Sequence, residues 1–595
     1  MLRDRRLPLL LAGVITLLNA VKPVVVDDTA YLLFARHLAA DPLHPYSFEL
    51  FWYYQPQPAM EILLPPVLPY WLAAGIAIFG ENVGLLKLWM FPFAWVLCLA
   101  VRSLVRRFAP DTEVEGTIAF SLSPAVLPLM SVMLDVPALA LGAAAVALFV
   151  KGCDGRRVWA VILAGVCTAL AVQTKYSMLT VPCVILGYSF TRLSKPQGWL
   201  TVAYAVAAIA LAIGLFTAWE WWLSETFGQS HFVHHFKGNA GEGKDLWATL
   251  EGRFAFAPPL LGQFGGLACG VSLAAGAGIG WPWWVRVPAA AAVGILLGLI
   301  CLLPYSATTA VLGPRYDLAF VTFCVFGLSV IATGLFGLGR VLWKRAADAD
   351  TLFLVGWVFV ETIGMLGMTP FPAARRVIGL CLATAVLLFH LVAKLRQVGP
   401  ASRAGPEPPT TGAARLAAPT VPRWGVAFAV GLGVLVWAVD CWDAQAEKVL
   451  AAKAAEAVKP APGEVVWYTG HWGFQWYCER AGLQHLNPWS NGTPMKAGDW
   501  LVAPVVPNDL GFYRPCPMDV SDPKFDPTGE RVWRESDFFP RPDMQLEEVV
   551  VWEWQDALSG QTIPQMYGGG SGPLRGRDHP RLRVGVYRVK RDWWP

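Results

Sequence analysis

Charge is scarce in this chain, with Asp, Glu, Lys and Arg making up 15% of 595 residues against 55% hydrophobic ones. So little charge cannot solvate the surface of an ordinary soluble enzyme of this length, and the composition is that of a polytopic membrane protein. Basic tracts are missing too. The 47 basic and 43 acidic residues leave a net charge of +4, so no nucleic-acid partner is expected. No Cys or His spacing matches a zinc site, and no phosphate-binding loop, dinucleotide fingerprint or nucleophile elbow sits between a suitable strand and helix. Soluble nucleotide chemistry therefore has no support in the sequence. A cleavage site of small residues is absent after the first apolar run, which is expected to be retained as a span.

Long apolar runs are what the chain does have. A bilayer crossing takes about 20 residues. Thirteen cores follow in succession at 7–22, 85–101, 116–132, 135–150, 158–173, 177–191, 199–221, 258–280, 284–303, 317–339, 351–369, 377–393 and 424–441. Basic residues concentrate in cytoplasmic loops. With Arg3, Arg5 and Arg6 inside, alternate loops carry Arg102, Arg106 and Arg107, then Lys151, Arg156 and Arg157, Arg192 and Lys195, Arg286, then Arg340, Lys344 and Arg345, and lastly Lys394 to Arg423. Counting 62–79 as a full span would break that alternation, so it is read as an interfacial re-entrant helix. The odd count leaves the C-terminus outside.

Three segments differ in composition. Residues 23–84 form an outer loop rich in Pro and aromatics, as interfacial belts are. Residues 396–422 read as a flexible cytoplasmic linker between a transmembrane domain, 1–395, and the last helix, 423–442. From 443 to 595 the chain turns polar, with strands expected at Val465–Tyr468, Trp500–Pro504 and Val584–Val589 and a helix at Phe474–Ala481. This is a small mixed α/β domain outside the membrane. Most of the eleven cysteines lie in or beside apolar runs and act as small hydrophobes, whereas Cys478 and Cys516 of the outer domain would form a disulfide if folding brings them together.

The topology places Asp27, Asp28, Asp135, Lys175, Arg315, Arg375 and Arg376 at the outer ends of spans. Intramembrane or boundary charge is costly and marks function, yet each residue has a plainer explanation. Asp27 and Asp28 suit the N-terminus of a helix from Thr29, and Asp135 with Pro137 suits another. Lys175 could snorkel, and Arg375 and Arg376 could anchor to headgroups. Glu225, His231 and His235, with His234, could bind a divalent ion, or pack at the interface beside Phe232 and Phe236. Glu361 falls mid-span without a helical neighbour of opposite charge. Asn491-Gly492-Thr493 is a glycosylation sequon on the outer side.

Asp27-Asp28-Thr29-Ala30-Tyr31, Pro65-Pro66-Val67-Leu68-Pro69-Tyr70-Trp71, Met133-Leu134-Asp135-Val136-Pro137 and Gln173-Thr174-Lys175-Tyr176-Ser177 follow one another in a familiar order. Over residues 1–395 the chain resembles the GT-C glycosyltransferases, specifically family 39, the protein O-mannosyltransferase and aminoarabinose transferase group. The resemblance implies a GT-C-like α-helical polytopic fold and sugar transfer from a polyprenyl-phosphate carrier to a lipid, protein or polysaccharide acceptor at the outer face. Asp27 then stands where the family places its base, with Asp28 as neighbour or substitute, and Asp135 orients the acceptor or a cation. Lys175, the Gly313-Pro314-Arg315-Tyr316 segment, Arg375 and Arg376 would hold the donor phosphate. Aminoarabinose-type relatives carry a lysine just before the Pro-Pro pair, where this chain has Leu64. No cofactor is required by the motifs, although a divalent cation stays open. A bacterial inner membrane is the expected location, and membrane lipids are the surroundings. Two other classes stay open as well: a transporter or flippase of lipid-linked sugars, and a scaffold displaying the outer domain.

Overall fold

The computed structural model describes residues 6–52, 55–196, 198–240, 254–280, 288, 291–297, 299, 318–369, 372–397, 421–470, 472–486, 495–507, 513–515, 546–554 and 582–592. Apolar sequence runs become helices: α1 Leu7–Ala20, α2 Asp28–Ala40, α3 Val67–Phe79, α4 Val83–Trp89, α5 Phe91–Phe108, α6 Glu113–Ser121, α7 Asp135–Gly155, α8 Val158–Thr174, α9 Thr180–Phe190, α10 Gly198–Phe227, α11 His231–Ala240, α12 Ala257–Ile279, α13 Leu318–Trp343, α14 Ala349–Met368, α15 Ile378–Gln397 and α16 Arg423–Ala457. Among the described residues, eight helices are long and apolar enough to cross a membrane, with α4 and α5 counting as one, and α1, α3, α8 and the Tyr176–Phe190 segment are shorter apolar helices.

Helix α7 shows the geometry of crossing. Its 21 residues rise about 31 Å, close to the hydrocarbon thickness of a bilayer. Asp135 opens it, and near its other end Asp154 pairs with Arg107, which also reaches Asp350 at 3.1 Å. Arg192 joins the same network through Asp350. The helix thus has a polar cluster at each end and small apolar residues between.

One expected span is not a continuous helix. Over 116–132, α6 stops at Ser121 and the chain runs in turns to Leu134. Pro124 and Pro128 explain this, since each removes an amide donor and disfavours helix in the residue before it. The freed carbonyls are used: Asn19 donates to Leu127 O at 2.7 Å and Lys22 Nζ to Pro128 O at 3.0 Å. The interfacial segment expected at 62–79 holds the 13-residue α3. The span expected at 284–303 lies largely outside the described residues.

Helix α16 runs 35 residues from apolar sequence into the polar C-terminal part, linking the helical body to a sheet. A small hairpin, β1 Glu49–Trp52 with β2 Gln55–Pro58, lies between α2 and α3. The C-terminal sheet has β3 Val466–Tyr468, β4 Gln484–His485, β5 Trp500–Pro507, β6 Tyr513–Pro515, β7 Leu546–Trp554 and β8 Leu582–Val589, in the order β4-β3-β5-β8-β7 with β6 beside β5. The β3–β5 pair is parallel, and α17, Trp472–Arg480, follows β3. Leu450, Ala451 and Ala454 of α16 pack with Phe474, Val502, Val584 and Val586 to form this part's core. Cys478 is buried and unbridged, while Cys516 and the Asn491 sequon lie outside the described residues.

Candidate active site

The chain leaves α1 through Lys22 and Pro23, and the buried Val24, Val25 and Val26 lead into the acidic pair. Val26 adopts φ 47°, a left-handed conformation that is costly for a β-branched residue. A tight turn follows, with Asp28 N–H donating to Val25 O at 3.1 Å. The two adjacent carboxylates thereby separate into different environments.

Asp27 remains about a fifth exposed and accepts a hydrogen bond from Arg375 Nη1 at 2.6 Å. Asp28 is fully buried and turned away. Its Oδ2 accepts from Ser131 Oγ at 2.7 Å and from Val25 N–H at 3.3 Å, with Lys87 Nζ at 3.7 Å. Burial pushes the Asp28 carboxyl up, against the pull of Lys87, Ser131 and Lys22.

Three other segments converge on Asp27. Asp135 opens α7 and is buried, Lys175 follows the last residue of α8, and Arg375 and Arg376 lie in a single 3-10 turn between α14 and α15. Lys175 Nζ donates to Asp135 Oδ1 at 2.6 Å and lies 3.5 Å from Arg375 O. Arg375 Nη1 also approaches Asp135 Oδ2, at 3.9 Å. Burial, reinforced by Arg376 and Arg375, brings the Lys175 ammonium down to about 8 despite Asp135. Burial and Arg375 likewise bring Arg376 down to about 10. Arg375 goes the other way: burial opposes its charge, but Asp27 and Asp135 outweigh it and keep it firmly cationic. Buried Tyr31 completes the cluster, feeling the charges of Asp27, Asp135, Arg375 and Arg376. Three cations against two carboxylates leave an excess of one positive charge, with one carboxylate accessible. Such a site can take an anion beside a group able to accept a proton.

Arg315 and Tyr316, expected beside these residues, lie outside the described residues. The histidine group is placed differently. His231 is buried, with Nδ1 2.6 Å from Tyr176 OH, Nε2 3.0 Å from Ile62 O, and its ring stacked on Tyr46 at 4.8 Å. Burial holds His231 down to about 3 and His235 to about 4, so both are neutral rings near pH 7. The carboxylate working there is Glu220 rather than Glu225, accepting from Ser230 Oγ at 2.7 Å and Phe232 N–H at 3.0 Å to cap α11. Among the described residues, no group of three or more His, Cys, Asp or Glu is placed to hold a metal ion. Glu361 accepts from Trp357 Nε1 at 3.2 Å and Thr180 Oγ1 at 3.5 Å, in a helix–helix contact.

Sequence reasoning missed Tyr31 and the group behind Asp28. Lys87 Nζ donates to the carbonyls of Lys22 at 2.6 Å and Pro23 at 2.9 Å, and buried Lys22 pairs with Asp440 of α16. Lys87 and Asp440 both fall inside predicted spans, where any charge is a signal.

No family model matches the chain, and no curated protein matches it. Solved structures do. The archaeal oligosaccharyltransferase AglB from Archaeoglobus fulgidus, in complex with an inhibitory peptide and a dolichol-phosphate, is similar with 12% identity over 98% of this chain and 88% of that one, at a TM-score of 0.45. ArnT from Cupriavidus metallidurans, bound to undecaprenyl phosphate, is similar with 13% identity over 83% of this chain and 92% of that one, at 0.35.

Proposed function

We propose that this protein is an integral membrane glycosyltransferase that moves a sugar from a polyprenyl-phosphate donor to an acceptor at the extracytoplasmic face, in a bacterial inner membrane with the N-terminus cytoplasmic. The observation that carries this is the accessible Asp27 carboxylate held 2.6 Å from buried Arg375, next to buried Lys175 and half-buried Arg376. Asp27 is the base. As the acceptor oxygen attacks the anomeric carbon, its proton passes to Asp27 and the bond from that carbon to the phosphate oxygen breaks, leaving the electron pair on the phosphate. Direct displacement inverts the anomeric centre. Lys175, Arg375 and Arg376 hold the phosphate and stabilise the charge it gains. An apolar cavity of about 520 Å³ between α12, α13, α14 and α15 supports a lipid donor, because Leu380 in its wall follows Arg376 by four residues in the chain.

The test is transfer from radiolabelled undecaprenyl-phosphate sugars, offered as a panel with host membrane extract as acceptor source, by wild type and Asp27→Asn. Transfer by wild type that falls by at least a hundredfold in a normally folded Asp27→Asn is the expected result. Equal activity of the variant removes the base assignment. No transfer from any donor makes transport of lipid-linked sugars, or a scaffolding role, the better account.

A further inference from the structure

The first outer loop does not hold its shape alone. Val24 N–H donates to Tyr477 OH at 2.8 Å, and Tyr477 belongs to α17 of the C-terminal part, 453 positions away. Gly473, on the same helix, lies against the Val24 carbonyl and the Glu447 carboxylate so closely that a Cβ would collide with both. The helix is stitched to the loop at its other end as well. Arg36 of α2 and Arg480 of α17 lie 5.4 Å from the Trp476 ring, and both pair with Glu81.

On the opposite side the loop is fixed by buried charge. Asp28 ties Val25 N–H, Ser131 and Lys87 together, Lys87 grips the Lys22 and Pro23 carbonyls, and Lys22 pairs with Asp440. Val26, at φ 47°, is the residue between these two clamps, and Asp27 follows it directly. A β-branched residue keeps such a conformation only where its surroundings enforce it. Here the enforcing groups are Tyr477 on one side and the Asp28–Lys87 pair on the other. Relaxation of Val26 would rotate the next side chain, which is Asp27.

We infer that α17 of the C-terminal part, acting through Tyr477, is a positioning element that holds the strained Val24–Asp28 segment so that Asp27 meets Arg375 and the reacting groups. This rests on the reading of Asp27 as base. Tyr477 and Asp28 touch no reacting atom on this account. They are positioning residues, and the outer part completes the site from behind rather than serving as an appendage.

The experiment compares wild type, Tyr477→Phe and Tyr468→Phe in the full-length protein, with undecaprenyl-phosphate sugars as donors. Tyr477→Phe keeps the ring and removes only the oxygen that accepts from Val24. Tyr468→Phe removes a hydroxyl that donates to Glu479 of α17 at 3.1 Å inside the C-terminal core, leaves the Tyr477–Val24 bond in place, and controls for loss of stability there. A misplacement of about 1 Å costs up to about a hundredfold in rate. Tyr477→Phe should therefore lower kcat by about tenfold or more, leave the donor KM within about twofold, and speed amide hydrogen exchange in a peptide covering 22–34. Tyr468→Phe should leave kcat and that exchange unchanged. Wild-type kcat and exchange in Tyr477→Phe overturn the inference while leaving the transferase intact. A matching fall of kcat in both variants overturns it too, by reducing the effect to stability. Inactive wild type with every donor removes both the transferase and the need for a positioned base.

Discussion

Replacing Asp135 by Asn should unmask the site's affinity for phosphate. Asp135 is buried and faces Lys175 Nζ at 2.6 Å and Arg375 Nη1 at 3.9 Å. With an effective dielectric of about 20 those two contacts are worth about 6 and about 4 kcal/mol before desolvation is counted. Burial of each ion costs several kcal/mol, which absorbs much of that gain. Removing one member of such a group still costs about 3–5 kcal/mol, because the cations stay buried while their compensation is gone. Asp135→Asn should thus unfold at a clearly lower temperature in detergent, read by intrinsic tryptophan fluorescence. A bound phosphate restores the missing negative charge. Undecaprenyl phosphate at about a hundred times its Kd stabilises any binding-competent form by about 2.7 kcal/mol, and the variant, binding more tightly, should gain more than wild type at equal concentration. Undecaprenol, which lacks the phosphate, should give neither protein that additional shift. A variant that melts with wild type, or a phosphate-specific shift no larger than the wild-type one, would refute the electrostatic account of the site.

Further outcomes follow from other parts of the molecule. Lys175 sits at about 8, so it carries its charge below that pH and loses it above; the donor KM should rise as pH passes about 8, and Lys175→Arg should move that rise to higher pH. Asp348 caps α14 by accepting from Thr351 N–H at 3.0 Å and pairs with Lys394 at 2.6 Å, so Asp348→Ala should cost about 1 kcal/mol and lower the unfolding midpoint without changing transfer at a permissive temperature. Although burial opposes it, Lys394 and Thr351 hold the Asp348 carboxyl down to about 2 from 3.8, so this contribution is complete above 3.8 and is lost as pH falls through about 2 in an acid titration of the unfolding midpoint. Gly265 of α12 meets the backbone of Phe323 and Gly327 of α13 where a Cβ has no room, and Gly265→Ala should lower the midpoint further than Gly339→Ala, whose Cβ meets nothing within 4 Å among the described residues.

Hydropathy made most of the helical body readable, because an apolar run of bilayer length has few other uses. It misled at 116–132, where composition is apolar enough for a span but Pro124 and Pro128 break the helix and Lys22 and Asn19 take up the freed carbonyls. Partners 106 and 108 positions apart leave no local trace. The charged residues expected at one set of span ends were legible as a group, and the structure gathers Asp27, Asp135, Lys175, Arg375 and Arg376 from four segments. Asp28 was not, since alternation says that neighbouring side chains diverge without saying which one faces the cavity. Its place was decided by Lys87 and Ser131. Lys87 and Asp440 carried a visible warning, a charge inside an apolar run, but Tyr477 looks in sequence like any core aromatic of a small domain.

The separation of Asp27 from Asp28 also balances charge through the proposed reaction. Before transfer, Asp27 and Asp135 carry two negative charges, Lys175, Arg375 and Arg376 carry three positive ones, and a sugar phosphodiester adds one more negative charge. The site is then neutral. As the acceptor proton reaches Asp27, that carboxylate loses its charge, while the departing polyprenyl phosphate becomes a monoester with a second negative charge. The total is again neutral, so a buried cluster passes through the reaction without stranding a charge in a poorly solvated place. A second ionised carboxylate facing the same cavity would spoil both states. Turning Asp28 away, onto Lys87, is therefore part of the chemistry, and Arg375 is the group that must exchange partners. Arg375 Nη1 lies 2.6 Å from Asp27, and in the proposed reaction the guanidinium shifts toward the phosphate as the donor binds, leaving the carboxylate to accept the proton.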